Sequence, residues 1–93
     1  MIKIKDLKTG DLLYRNNLNN GYFSIVYITR DNESFINGDE IGLIKIQFTR
    51  LIEVHRNMTT KQLITIKYPN GIPFTSEYFT ENDDLKNYDY KRL

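Results

Sequence analysis

The chain has 93 residues, with thirteen Lys and Arg set against twelve Asp and Glu, a single His and no Cys. That length supplies one domain with a thin core, and the near-neutral charge lacks the basic excess of a dedicated nucleic-acid binder. Without cysteine there is neither a disulfide nor a thiolate metal site, and a reducing, cytoplasmic setting is expected.

No apolar run is long enough for a signal peptide or a spanning helix, so a soluble protein is expected, with no membrane partner. Alanine is absent, while Asn, Lys and Ile are abundant and Val is scarce. These preferences follow codons rich in A and T and point to low-GC bacteria and their phages. Losing the best helix former while loading the chain with β-branched Ile and Thr favours sheet.

Met1 to Lys5 alternates Ile and Lys at a period of two, the pattern of a half-buried strand. Asp6 to Asp11 reads as a turn in which Gly10 is free to take a positive φ, and Leu12 to Arg15 resumes as strand. This succession of Leu7, the Gly10-Asp11 pair and a short apolar run resembles the opening strands of SH3-like small barrels over about ten residues. The resemblance implies a fold and no function.

Asn16 to Gly21 is a polar loop ending in Asn-Gly, a hairpin signal. It leads into Tyr22 to Arg30, which has Phe23, Ile25 and Tyr27 on one face and Tyr22, Val26 and Ile28 on the other. Both faces suit burial, so this is the expected central strand. Asp31 to Ser34 is expected to turn, Phe35-Ile36 to be a brief strand, and Asn37 to Glu40 to turn again.

Ile41 to Thr49 alternates, but the parity would carry Arg50 onto the apolar face of Ile52 and Val54. A bulge is therefore expected near Thr49 to Leu51, after which Leu51 to Arg56 continues as strand. Asn57 to Thr60 connects to a strand over Lys61 to Tyr68, and Pro69-Asn70-Gly71 turns. Ile72 to Phe79 forms a last strand that Pro73 confines to an edge. Beyond Thr80 the tail is polar. Thr80 with Asp83 resembles a capping box, and either a short helix over Glu81 to Tyr88 or a frayed polar tail is expected. The expected whole is one all-β domain over residues 1–93, a small, strongly bent antiparallel barrel of six or seven short strands.

Candidates for chemistry are few. His55 with carboxylates is too poor a donor set for the softer metals, and no metal or cofactor is expected. The spacing around Asp31, Glu33, Asp39 and Glu40 is that of turns and differs from a calcium loop. The serines lack the glycines of a nucleophile elbow. A carboxylate enzyme would use Asp39 with Glu40, or Glu53 with His55, and needs those side chains to converge in a concave site.

Binding suits the composition better, since seven tyrosines are too many for a small core to bury with their hydroxyls satisfied. Tyr14, Arg15, Tyr22, Arg30, Lys45, Arg50, Lys67, Tyr68 and Tyr78 are the expected contact residues. Tyr and Arg are the usual anchors of protein interfaces, so a non-catalytic module with a protein partner is the leading expectation. It narrows to an accessory or inhibitor protein of a phage or mobile element. The alternatives are nucleic-acid binding through basic and aromatic strand faces and the small enzyme just described. Edge strands at Met1 to Lys5 or Phe74 to Phe79 are also placed to form a homodimer across a two-fold axis.

Overall fold

The computed structural model describes residues 1–37 and 40–93, with side chains described for residues 1–31 and 42–93. The strands are β1 (Leu12–Asn17), β2 (Tyr22–Asn37), β3 (Glu40–Arg56), β4 (Leu63–Phe79) and β5 (Tyr90–Arg92). They form one antiparallel sheet in the order β4-β3-β2-β1-β5, with β2 at its centre as its alternating apolar residues require. Gly21, at φ 79°, closes the β1–β2 hairpin after a 3₁₀ turn at Leu18–Asn20.

Among the described residues five strands, three of them long, replace the six or seven short ones expected. Asp31 to Phe35 is a register irregularity within β2, where a turn was expected. The turn expected at Asn37 to Glu40 centres on Gly38 and Asp39, which lie outside the described residues, and Asn37 pairs with Glu40 across it. Pro69-Asn70-Gly71 is an excursion inside β4, whose register jumps between the Arg50–Ile72 and Ile52–Lys67 pairs. β4 is an edge strand, as Pro73 requires.

The sheet curls without closing. Phe79 in β4 meets Tyr88, just before β5, with ring centroids 5.6 Å apart, yet among the described residues the ladder ends at β4 and β5. β1 with six residues and β5 with three are too short to carry the hydrogen bonding round to β4, so the expected barrel gives way to an open sheet.

Ser24, Val26, Ile28, Ile46 and Phe48 point to the inner face and are buried. Over them lie Ile2, Ile4 and Leu7 from the N-terminal segment and Leu85 and Tyr90 from the C-terminal one. Met1 to Lys5 is therefore no strand. Ile4–Asp6 is a 3₁₀ turn, and Lys3 makes only an isolated bridge to Asp84. Distant side chains pin this segment. The Ile2 amide donates to Asp84 Oδ1 at 2.7 Å, and Arg30 Nη1 donates to the carbonyls of Ile4 and Leu7 at 2.6 and 3.3 Å. The amides of Ile2 and Lys86, both donating to Asp84 Oδ1, hold the Asp84 carboxyl below its ordinary pKa.

The expected helix over Glu81 to Tyr88 shrinks to a 3₁₀ turn, Leu85–Tyr88, capped by Asp84 instead of Thr80. Asp89 at φ 66° ends the turn and swings Tyr90 into the sheet. There the Tyr90 ring stacks on Phe48 at 5.1 Å, a burial that outweighs the weak helical preference of so short a segment.

Candidate binding surface

Strand parity and register divide the nine expected contact residues between two faces. Arg15, Tyr22, Arg30, Arg50 and Tyr68 share the inner face with the core, while Tyr14, Lys45, Lys67 and Tyr78 stand on the outer face. Arg30 sits at the far end, tying down the N-terminal turn. Tyr22, Arg50 and Tyr68 come together.

The cause is a bulge at the expected place. Opposite the step from Ile25 to Val26, β3 carries Leu51 as an extra residue, so Arg50 pairs with Val26 while Ile52 pairs with Ile25. Arg50 stays in phase with Phe48, and the added residue brings Glu53 and His55 onto that same inner face while sending Ile52 and Val54 outward.

Glu53 becomes the hub. It is buried, pairs with Ser24 in the ladder, and its Oε2 accepts from Arg50 Nη1 at 2.9 Å and from Tyr68 Oη at 3.1 Å. Its Oε1 is in close contact with His55 Nε2. Arg50 Nη2 donates to Tyr22 Oη at 2.7 Å. Burial of Glu53 opposes its ionisation, but the hydrogen bonds from His55 and Tyr68 and the charges of Arg50 and His55 outweigh it, leaving the carboxyl below its ordinary pKa. Burial and the Glu53 carboxylate raise the Tyr68 phenol.

The Arg50 guanidinium lies 4.1 Å from the Phe74 ring centroid and 5.5 Å from that of Tyr22, and its Nε finds no hydrogen-bond partner among the described residues. Such a guanidinium, stacked on rings and paired with a buried carboxylate, is held rigidly.

Glu53 and His55 thus converge, as an acid–base site would need. The carboxylate nevertheless accepts from three donors and has a lowered pKa, which makes it a weak base. The other carboxylate candidate, Asp39 with Glu40, lies outside the residues whose side chains are described. Among the described residues no His, Asp and Glu cluster is large enough to hold a metal ion, and no helix is long and apolar enough to cross a membrane.

Beside this network the curl of the sheet leaves a cleft of about 290 Å³. Phe48, Phe79 and Tyr90 form its floor, and Phe74 and Tyr88 form half-exposed walls. Arg15 and Glu77 stand at its rim, with Arg15 5.6 Å from the Tyr90 ring centroid and 3.7 Å from Asp89. Expectation from sequence placed only Arg15 here. Phe74, Glu77, Tyr88 and Tyr90 were missed, because only the curl brings β4 next to the segment before β5.

Compared with known proteins, the chain matches no family model, no curated protein and no solved structure.

Proposed function

We propose that the protein is a non-catalytic binding module that seats a side chain of a protein partner in the inner-face cleft. The observation that carries this is the cleft's construction, five aromatic rings flanked by two arginines that are already stacked on rings. At about 290 Å³ it lies just below the usual range for small-molecule sites. It matches instead the pocket that receives one aromatic or large aliphatic anchor at a protein interface, where Tyr and Arg dominate the energetics.

Charge placement supports a protein over a nucleic acid. Arg15 faces Asp89, Arg50 is committed to Glu53, and Glu77 stands at the rim, so among the described residues that line the cleft no run of basic side chains is offered to a phosphate backbone. Lys45 and Lys67 are on the opposite face. Size and coding bias narrow the proposal to an accessory or inhibitor protein of a phage or mobile element acting inside an AT-rich bacterium.

The test is recovery of partners from such a host by a tagged chain after nuclease treatment, alongside Tyr88→Ala and Glu77→Arg variants of unchanged thermal stability. A stoichiometric protein held by the parent chain and lost by both variants is the expected result. Finding no such protein, or one retained only while nucleic acid is intact, overturns the proposal.

A further inference from the structure

The half of β4 away from the cleft poses a separate question. Leu63, Ile64 and Ile66 are 57%, 56% and 38% exposed, on a strand whose outer edge has no neighbour in the sheet among the described residues. Edge strands normally carry charges, prolines or bulges that block further pairing. Here those devices begin only at Lys67, Pro69 and the excursion to Gly71. From Leu63 to Ile66 the edge is regular, paired residue for residue with β3 and without a charge.

We infer that this edge pairs with the same edge of a second copy, antiparallel about a two-fold axis at Thr65. The positions of the lysines and of Pro69 select the register, since an axis at Ile66 would set Leu63 against the partner's Pro69, beyond the end of the regular ladder. Side chains directly opposite in an antiparallel pair share a face. An axis at Ile64 would set Lys61 against the partner's Lys67, and an axis at Lys67 would set that lysine against itself. An axis at Thr65 sets Thr65 against Thr65 and each Ile64 against the partner's Ile66 on the inner face. On the outer face it sets Leu63 against the apolar stem of the partner's Lys67, and like charges meet nowhere.

Thr–Thr and β-branched pairs are among the favourable cross-strand combinations. The stretch is short because Pro69 and the excursion stop the pairing, so the association is weak and concentration-dependent, and it leaves the cleft at the other end of β4 open. It therefore stands or falls independently of what the cleft binds.

Sedimentation equilibrium of the full chain across a concentration series tests the inference. A monomer–dimer equilibrium is expected. Ile64→Lys combined with Ile66→Lys should abolish it, and because both side chains are exposed in the single chain, thermal unfolding of the dilute protein should hold. Leu63→Glu should tighten the dimer about fivefold by adding two symmetric pairs with Lys67, and adding Lys67→Glu should reverse the gain. A chain that stays monomeric, or a dimer indifferent to the two lysine substitutions, overturns the inference. A dimer that loses association on Ile64→Lys and Ile66→Lys but ignores the Leu63 and Lys67 charges overturns the two-fold at Thr65.

Discussion

Replacing Glu53 by Gln tests the inner-face network most directly, because it keeps the shape of the side chain and removes only its charge. The variant leaves the Arg50 guanidinium, 17% exposed and stacked on Phe74, without its counter-ion, and turns an acceptor into an NH₂ group facing donors. Removing one partner of a buried ion pair costs about 3–5 kcal/mol, and a hydrogen bond to a charged group contributes about 1.5–3 kcal/mol. Arg50 retains its bond to Tyr22 and some access to water, so a loss of about 2–3 kcal/mol is expected. For a domain of this size each kcal/mol shifts Tm by about 4–8 °C, giving a fall of roughly 10–20 °C by differential scanning calorimetry.

The pH dependence sharpens the test. Because folding lowers the Glu53 pKa, its contribution is complete above the unfolded value near 4.5 and is lost as pH falls through the lower folded value. The difference in stability between the parent chain and Glu53→Gln should therefore be full at neutral pH and shrink in acid. A difference that is absent at neutral pH, or as large at about pH 3 as at pH 7, would refute the assignment of Glu53 as the ionised hub.

Gly71→Ala should cost about 2–4 kcal/mol in urea unfolding, since a Cβ there would lie 2.6 Å from Thr49 Cγ2 on a residue at φ 72°. Gly10→Ala, at φ 95° with open space around it, should cost only about 1–2 kcal/mol, and equal losses at the two sites would mean that crowding at Gly71 is immaterial. Phe48→Ala should cost about 3–5 kcal/mol, because the ring is fully buried and stacked on Tyr90. Near-UV circular dichroism should show loss of the tyrosine signal in that variant, and an unchanged spectrum would place Tyr90 elsewhere. Arg30→Met should cost about 1.5–3 kcal/mol and expose the amides of Ile4 to Leu7 to hydrogen exchange. Unaltered protection there would show that Arg30 is dispensable to the N-terminal turn.

Legibility in the sequence followed the range of the interactions. The central strand, the edge position imposed by Pro73, the β1–β2 hairpin and the bulge at Thr49 to Leu51 all rest on neighbours within a few residues, and all were legible. At the N-terminus the alternation correctly placed Ile2 and Ile4 inward, yet it could not reveal a 3₁₀ turn held by Asp84 and Arg30. Likewise Asp31 to Ser34 and Pro69 to Gly71 carry turn chemistry, but pairing along β2–β3 and β3–β4 continues past them. Tyr22, Arg50 and Tyr68 were chosen for their residue types. Their convergence on Glu53 depends on a register that no single segment encodes.

The two irregularities on which the surface depends face each other and act together. Leu51 is the extra residue of β3 against β2, and the Tyr68 to Gly71 excursion of β4 lies opposite Leu51, between the Arg50–Ile72 and Ile52–Lys67 pairs. Were Leu51 paired in the regular ladder instead of standing as an extra residue, strand alternation would turn Glu53 and His55 outward and bring Ile52 and Val54 in, leaving Arg50 inside with no carboxylate. Without the excursion, the edge strand would run straight past and Tyr68 would lose its approach to Glu53. Gly71 permits the close packing between them, since a Cβ there would lie 2.6 Å from Thr49 Cγ2, 3.3 Å from Tyr27 Cε1 and 3.4 Å from Leu51 Cδ2. The chain thus breaks two ladders at one place, an arrangement that weakens the sheet locally and yields a charged, aromatic inner surface continuous with an apolar core.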